Sequence, residues 1–245
     1  MRAALSGMPD VGAKCAAFSQ SSADPGMRRL LARQLAHPTG LAGRMIGWMM
    51  KLANRAPTRL AIDALCLKSG DRVLDLGCGP GQAAALMLPL SRPGRVVGID
   101  QSRTMIDQAA RDNRRAVAAG EMAFHVARFD ALPFETASFE AVLASNVMYF
   151  WQDTQAVLTE IRRVLAPGGR LTLYVTAAES MAGWGFVEAG THRLFSAADV
   201  AEALTAGGFP EAAVDVCEVA LGKGVTGIVA TAHLPRADTG ILQAA

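Results

Sequence analysis

Cysteine is scarce and scattered. Cys15, Cys66, Cys78 and Cys217 are the only four in 245 residues, and no two of them form a C-x-x-C pair. That spacing argues against a zinc ribbon or a disulfide framework, so the expectation is a cytoplasmic protein with reduced thiols and no metal centre. Long apolar runs are also missing. Hydrophobic residues reach 51%, but alanine dilutes them, and no run approaches the roughly 20 residues needed to cross a bilayer. Met1 to Asp10 has no apolar stretch after Arg2, so no secretory signal is expected. Charge of one sign is not in excess either: 24 Lys and Arg stand against 22 Asp and Glu, a net +2. A general nucleic-acid binder, which must neutralise many phosphates, is therefore not expected. No repeat of solenoid period is visible. What remains is the composition and length of a globular chain that can bury its own core.

The chain divides into three by pattern. Residues 1–26 mix Ser, Ala, Gly and Pro without periodicity and read as a loose N-terminal tail. Residues 27–53 turn helical, with a break at Pro38-Thr39-Gly40, and Leu41, Met45, Trp48, Met49 and Leu52 form one apolar stripe. Arg28, Arg29, Arg33, Arg44 and Lys51 make this segment basic. It reads as a helical lid, with peripheral membrane contact as one use of its charge. From residue 54 to 245 strands and helices alternate. Val73–Leu76, Arg95–Ile99, Met122–Val126, Phe139–Ala144 and Leu171–Val175 read as strands. Helices are expected over Pro57–Leu67, Gln82–Leu90, Ser102 to about Ala119, and a stretch whose Val157, Leu158, Ile161, Val164 and Leu165 share a face up to the stop at Pro167-Gly168-Gly169. A capping arrangement at Ser196 and Asp199 opens a last helix, and a hairpin over Ala213–Val219 and Gly227–His233 closes the chain. Such alternation demands right-handed crossovers. The fold expected is a Rossmann-like α/β domain: a mostly parallel, seven-stranded sheet with helices on both faces and an antiparallel edge strand.

In such sheets ligands bind beyond the carboxyl ends of the strands. Val73-Leu74-Asp75-Leu76-Gly77-Cys78-Gly79-Pro80-Gly81 sits at that end of the first strand. Glycines let the backbone turn tightly and let a ligand approach without a Cβ in the way. A dinucleotide fingerprint, G-x-G-x-x-G, would need its third glycine at position 82, which is Gln82. Asp75 would also repel a pyrophosphate, whereas it suits a ligand carrying a positive amino acid group. Asp100, ending the second strand, is placed to accept hydrogen bonds from both hydroxyls of a ribose. A dinucleotide-dependent oxidoreductase is thus the disfavoured alternative.

Asp75 to Gly81, Asp100, Phe129-Asp130-Ala131-Leu132-Pro133-Phe134 and Arg163-Val164-Leu165-Ala166-Pro167-Gly168-Gly169 occur in order at the expected strand ends. In these the chain resembles the class I S-adenosylmethionine-dependent methyltransferases. Within that superfamily it is similar to the small bacterial branch related to quinone-biosynthesis methyltransferases, over roughly Asn54 to His233. The resemblance implies that Asp75 and the backbone around Gly77 and Gly79, in the loop closed by Gly81, hold the methionine part of the cofactor. It implies that Asp100 binds the ribose diol, that Gln101 and Met105 flank the adenine, and that Asp130 and the Ala131 backbone N–H read its edge. Ser145 would lie beside the methionine part, and S-adenosylhomocysteine would be the product.

Methyl transfer from a sulfonium is an in-line displacement, so the protein's task is chiefly to position the acceptor and exclude water. A base is useful where the acceptor must lose a proton, and Tyr149, Glu179 and His192, on loops that should roof the pocket, are the candidates. Nucleic-acid amino-methyltransferases of this fold carry an Asn/Asp-Pro-Pro-aromatic signature after the fourth strand. Here Ser145-Asn146-Val147-Met148 stands instead, so a nucleic-acid acceptor is not expected, while Met45, Trp48, Met49 and Met50, close together in the helical segment, suit a small, lipophilic or aromatic acceptor. A domain that binds S-adenosylmethionine without catalysis is the other alternative, and homo-oligomerisation stays open.

Overall fold

The computed structural model describes residues 54–182, 187, 192–222 and 224–236. The expected tail and the helical lid with its Leu41–Leu52 stripe lie outside the described residues. Helix α1 (Arg55–Leu65) precedes β1 (Val73–Leu76), α2 (Gln82–Ser91), β2 (Val96–Asp100), α3 (Arg103–Asp112), α4 (Arg114–Ala118) and β3 (Met122–Val126). Then come β4 (Phe139–Ser145), α5 (Thr154–Val164), β5 (Leu165–Thr176), the single turn α6 (Ala178–Met181), α7 (Ala197–Ala206), β6 (Val214–Ala220) and β7 (Thr226–His233). No described helix is long and apolar enough to cross a membrane.

The strands form one seven-stranded sheet in the order β3-β2-β1-β4-β5-β7-β6. Strands β1 to β5 are mutually parallel. The closing hairpin adds β7 antiparallel to β5 and places β6 outside it as the edge, so the reversed strand is second from the border. The order reverses between β1 and β4, and a crevice opens where the connections leave those two strands in opposite directions. Side chains alternate across the sheet. Val73, Val96, Ala141, Leu143 and Val229 pack under α1 and α2, while Leu74, Ile99, Val142, Leu173 and Ile228 pack against α5 and α7.

Local signals set the boundaries. Ser102 Oγ accepts from Met105 N at the start of α3, and Asp153 accepts from Ala156 N at the start of α5. Ser196 and Asp199 form the expected capping box. The helix expected to run unbroken to Ala119 is interrupted at Asn113, whose side-chain amide donates to Ala109 O at 2.9 Å and to Gly81 O at 3.4 Å. An amide that competes for main-chain carbonyls interrupts a helix, and here it also ties the helix to the glycine loop. Helix α5 ends at Val164, earlier than the Pro-Gly-Gly stop, because Leu165 already pairs with Phe139 in the sheet. Helix α1 is fastened at its C-terminus. Arg170 of β5 donates to Leu65 O at 2.5 Å and Cys66 O at 2.9 Å and pairs with the buried carboxylate of Asp71.

Candidate active site

A cleft opens beyond the carboxyl ends of β1, β2 and β4, where sheets of this kind bind their ligands. Its floor is the loop after β1. Gly77 N and Cys78 N both donate to Ile99 O, at 2.8 and 2.9 Å, which folds the loop back over β2. Gly77 has φ +75°, and a Cβ there would lie 2.4 Å from Val147 Cγ2. Only glycine therefore fits where the loops after β1 and β4 touch. At Gly79, with φ +49°, a Cβ would meet nothing within 4 Å. The backbone is bare towards open space, the approach a ligand can use.

Two carboxylates face this space. Asp100 accepts from Gly79 N at 3.0 Å and from Ser102 N at 2.8 Å, so it fixes the loop as well as the start of α3. Asp75 is only 2% exposed, and its Oδ2 has no hydrogen-bond partner among the described residues. Burial pushes the Asp75 carboxyl up to about 7, against a backbone hydrogen bond from Ala84, and Asp100 adds to the rise by repulsion. Ser145 Oγ, at the end of β4, is likewise buried without a partner and lines the same cleft. Buried polar atoms left unanswered are costly. A ligand that brings an ammonium group and further polar atoms would answer them. S-adenosylmethionine carries its ammonium at one end and a ribose diol in the middle, which matches Asp75 and Ser145 on one side and Asp100 on the other. A pyrophosphate would bring Asp75 no cation and would meet the charge of Asp100 instead.

Of the residues expected from sequence, Asp75, Gly77, Gly79, Asp100, Gln101, Met105 and Ser145 come together around this cleft. Gly81 stands just behind it as the residue before α2, in a left-handed conformation packed against Asn113. Asp130 and Ala131 are not on its lining. Arg128 grips the Asp130 carboxylate through two hydrogen bonds, 2.9 and 2.6 Å long, and holds it below the usual carboxylate range. A pairing between Arg128 and Ala131 closes a tight turn, and the turn directs buried Phe129 into the cleft wall. This loop is held from below by α5. Leu132 N donates to Glu160 at 2.7 Å, and Arg163 donates to Leu132 O and Phe134 O at 3.0 and 2.6 Å.

The Tyr149 hydroxyl accepts from Thr176 N and donates to Asn146 Oδ1 at 3.3 Å. It is buried, and burial raises its pKa. A phenol so engaged is a fastening between the loops after β4 and β5, not a base. His192 sits behind the cleft wall, its ring 4.8 Å from Phe150 and 5.9 Å from Tyr149. Burial pushes it down to about 4, so the imidazole is neutral at pH 7. Asn54, Thr58, Cys78, Asn146, Val147 and Phe150 also line the cleft and were not singled out from sequence. Asn146 could have been suspected only from its place directly after β4. Its φ of +55°, uncommon outside glycine, has no mark in the sequence.

Residues 74–173 match the methyltransferase domain family. A demethylmenaquinone methyltransferase of Thermus thermophilus is 41% identical over 117 residues, 47% of this chain and 51% of that protein. The O-methyltransferase resE of Aspergillus sclerotiorum is 32% identical over 124 residues, 51% of this chain and 47% of its own. The chain spans about half the length of the curated relatives it matches. Among solved structures, a Haemonchus contortus phosphoethanolamine N-methyltransferase in complex with S-adenosylhomocysteine superposes with a TM-score of 0.64. It shares 16% identity, over 84% of this chain and 57% of that one.

Proposed function

Residues 74–173 belong to the class I S-adenosylmethionine-dependent methyltransferases, and from that premise we propose that the chain methylates an oxygen of a small lipophilic or aromatic molecule by in-line displacement. The observation that carries the reading is the buried, unanswered carboxylate of Asp75 beside the bare backbone of Gly79, with the apolar side chains of Phe129, Val147 and Phe150 on the same cleft. An O-methyltransferase and a demethylmenaquinone methyltransferase among the relatives support an oxygen acceptor and a quinone-type molecule. When bound, S-adenosylmethionine supplies an activated methyl group. Asp75 and Ser145 hold its amino acid end and Asp100 its ribose. The apolar wall then keeps water from the reacting centre, where an acceptor oxygen must lie in line with the departing sulfur. The test is turnover against hydroquinones, phenols, amines and fatty acids, read as S-adenosylhomocysteine formed. Hydroquinones or phenols should turn over. Methylation confined to amines would overturn the oxygen assignment.

Tyr149 belongs to the scaffold in this reading, and His192, packed against Phe150 of the cleft wall, is a base candidate that remains. His192→Ala should lower kcat about tenfold to a hundredfold, the lower range of general-base effects, with S-adenosylhomocysteine affinity unchanged. Because the ring is protonated only below about pH 4, its contribution should persist down to about pH 5 and vanish below. A kcat profile at saturating cofactor with a step near pH 6.5 would reject the assignment.

The cover of the acceptor side is assigned to residues 27–53. Asn54 and Thr58, at the start of the described residues, line the cleft, and this supports the proposal. Deleting residues 1–26 should leave turnover intact. Deleting 1–51 should abolish turnover while S-adenosylhomocysteine still binds, in a protein that retains a cooperative melt. Full turnover by the longer deletion would disprove a covering role.

A further inference from the structure

Asp75 is enclosed on every side. From β1 it points to the α1–α2 face of the sheet, since Leu74 and Leu76 take the other, and it is 2% exposed. It accepts a hydrogen bond from the backbone of Ala84 in α2. The titratable groups that face it are Asp100 at the end of β2 and the buried thiol of Cys78 in the loop, and neither is a cation. The other elements supply none. Helix α2 contains no charged residue, and α1 turns Arg55, Arg59 and Asp63 outward. On β4, Glu140 is paired with Arg72, and on β5, Arg170 is paired with Asp71, both at the opposite end of the sheet. Among the described residues, then, a fully enclosed carboxylate stands next to a second carboxylate with no countercharge.

Such a group has two ways to be neutralised: a proton, or a cation brought by the ligand. We propose that Asp75 carries a proton when the cleft is empty and exchanges it for the α-ammonium group of the incoming cofactor, releasing the proton to solvent. The inference rests on the cofactor reading above and adds a mechanism of ligand selection. Ligands with the amino acid end displace the proton, and nucleosides without it cannot. Asp100 is excluded as the exchanging group because two backbone N–H groups already hold its charged form. Cys78 is excluded because burial and the two carboxylates push its thiol far above neutrality, so that it keeps its proton throughout.

The direction of the pH dependence follows. The free carboxyl titrates at about 7, and pairing with an ammonium lowers that value in the complex. Binding therefore releases roughly 0.9 proton at pH 6 and roughly 0.1 at pH 8, and affinity is about tenfold weaker at pH 6. The experiment is calorimetric titration of the full-length protein with S-adenosylhomocysteine, at both pH values, each in two buffers of different ionisation enthalpy. A parallel titration uses 5′-methylthioadenosine, which lacks the amino acid end. The result expected is near-stoichiometric proton release at pH 6 for the first ligand, none for the second, and an affinity for the second that changes less than about twofold between the two pH values. In Asp75→Asn, of nearly the same shape, the pH dependence should disappear and S-adenosylhomocysteine should bind at least tenfold more weakly at pH 8. Equal affinity at both pH values with no proton released by the unaltered protein would overturn the exchange and leave the cofactor assignment standing. Failure of S-adenosylhomocysteine to bind at either pH would overturn the cofactor assignment itself.

Discussion

Replacing Arg170 by leucine is expected to destabilise the fold by about 3–5 kcal/mol, the usual cost of stranding one member of a buried ion pair. Arg170 and Asp71 are both nearly enclosed. Without the guanidinium, the Asp71 carboxylate keeps only the backbone N–H of Lys68, at 2.7 Å. The carbonyls of Leu65 and Cys66 at the end of α1 lose their donors as well. For a domain of this size the midpoint of thermal unfolding should fall by roughly 10–15 °C. Urea unfolding of Arg170→Leu, of Asp71→Leu and of the double variant is the check. The double variant should recover much of the loss, because no charge is then left unpaired. A loss below about 1 kcal/mol in Arg170→Leu would mean that water reaches Asp71 and that the clamp is not what seats α1.

The second large effect belongs to Asp100. In Asp100→Ala the affinity for S-adenosylhomocysteine should drop by about 2–3 kcal/mol, or roughly thirtyfold to 150-fold, while the protein stays folded. Two contributions add. Charge-assisted bonds to the ribose hydroxyls disappear, worth about 1.5–3 kcal/mol each before water replaces part of them. Gly79 N and Ser102 N also lose the acceptor that fixes the loop and the helix start. Calorimetry at pH 8, where Asp75 is ionised in the free protein, separates this loss from any proton exchange. Unchanged affinity in a folded Asp100→Ala protein would remove Asp100 from the site.

The sheet was legible in the sequence because the rules that build it are local: strand-length apolar runs, Ser102 and Ser196 as caps, and glycines where the chain must reverse. The cofactor side of the cleft was legible for a related reason. Asp75, Gly77, Gly79 and Asp100 sit at strand ends, and parallel β-α units bring those ends together. What escaped depended on contacts between distant segments. Asp130 looked available until Arg128, two residues earlier, turned back on it. Tyr149 looked like a pocket base until the Thr176 backbone, 27 residues on, claimed its hydroxyl. The break at Asn113 needed the carbonyl of Gly81, 32 residues away. Phe129 was read as part of a motif, but its burial in the cleft wall follows from the tight turn that its neighbours close.

Helix α1 lies before β1 in the chain yet rests on β4, β5 and β7, and its fastening residue, Arg170, is more than 100 positions downstream of Leu65. As the chain emerges from the ribosome, strands β1 to β4 can pair with one another while this helix has only the β4 part of its seat. The wall of the cleft that carries Asn54 and Thr58 is thus among the last parts to be put in place, although it is among the first to be synthesised. A nascent or truncated chain ending before β7 would display the glycine loop with one side of its pocket missing.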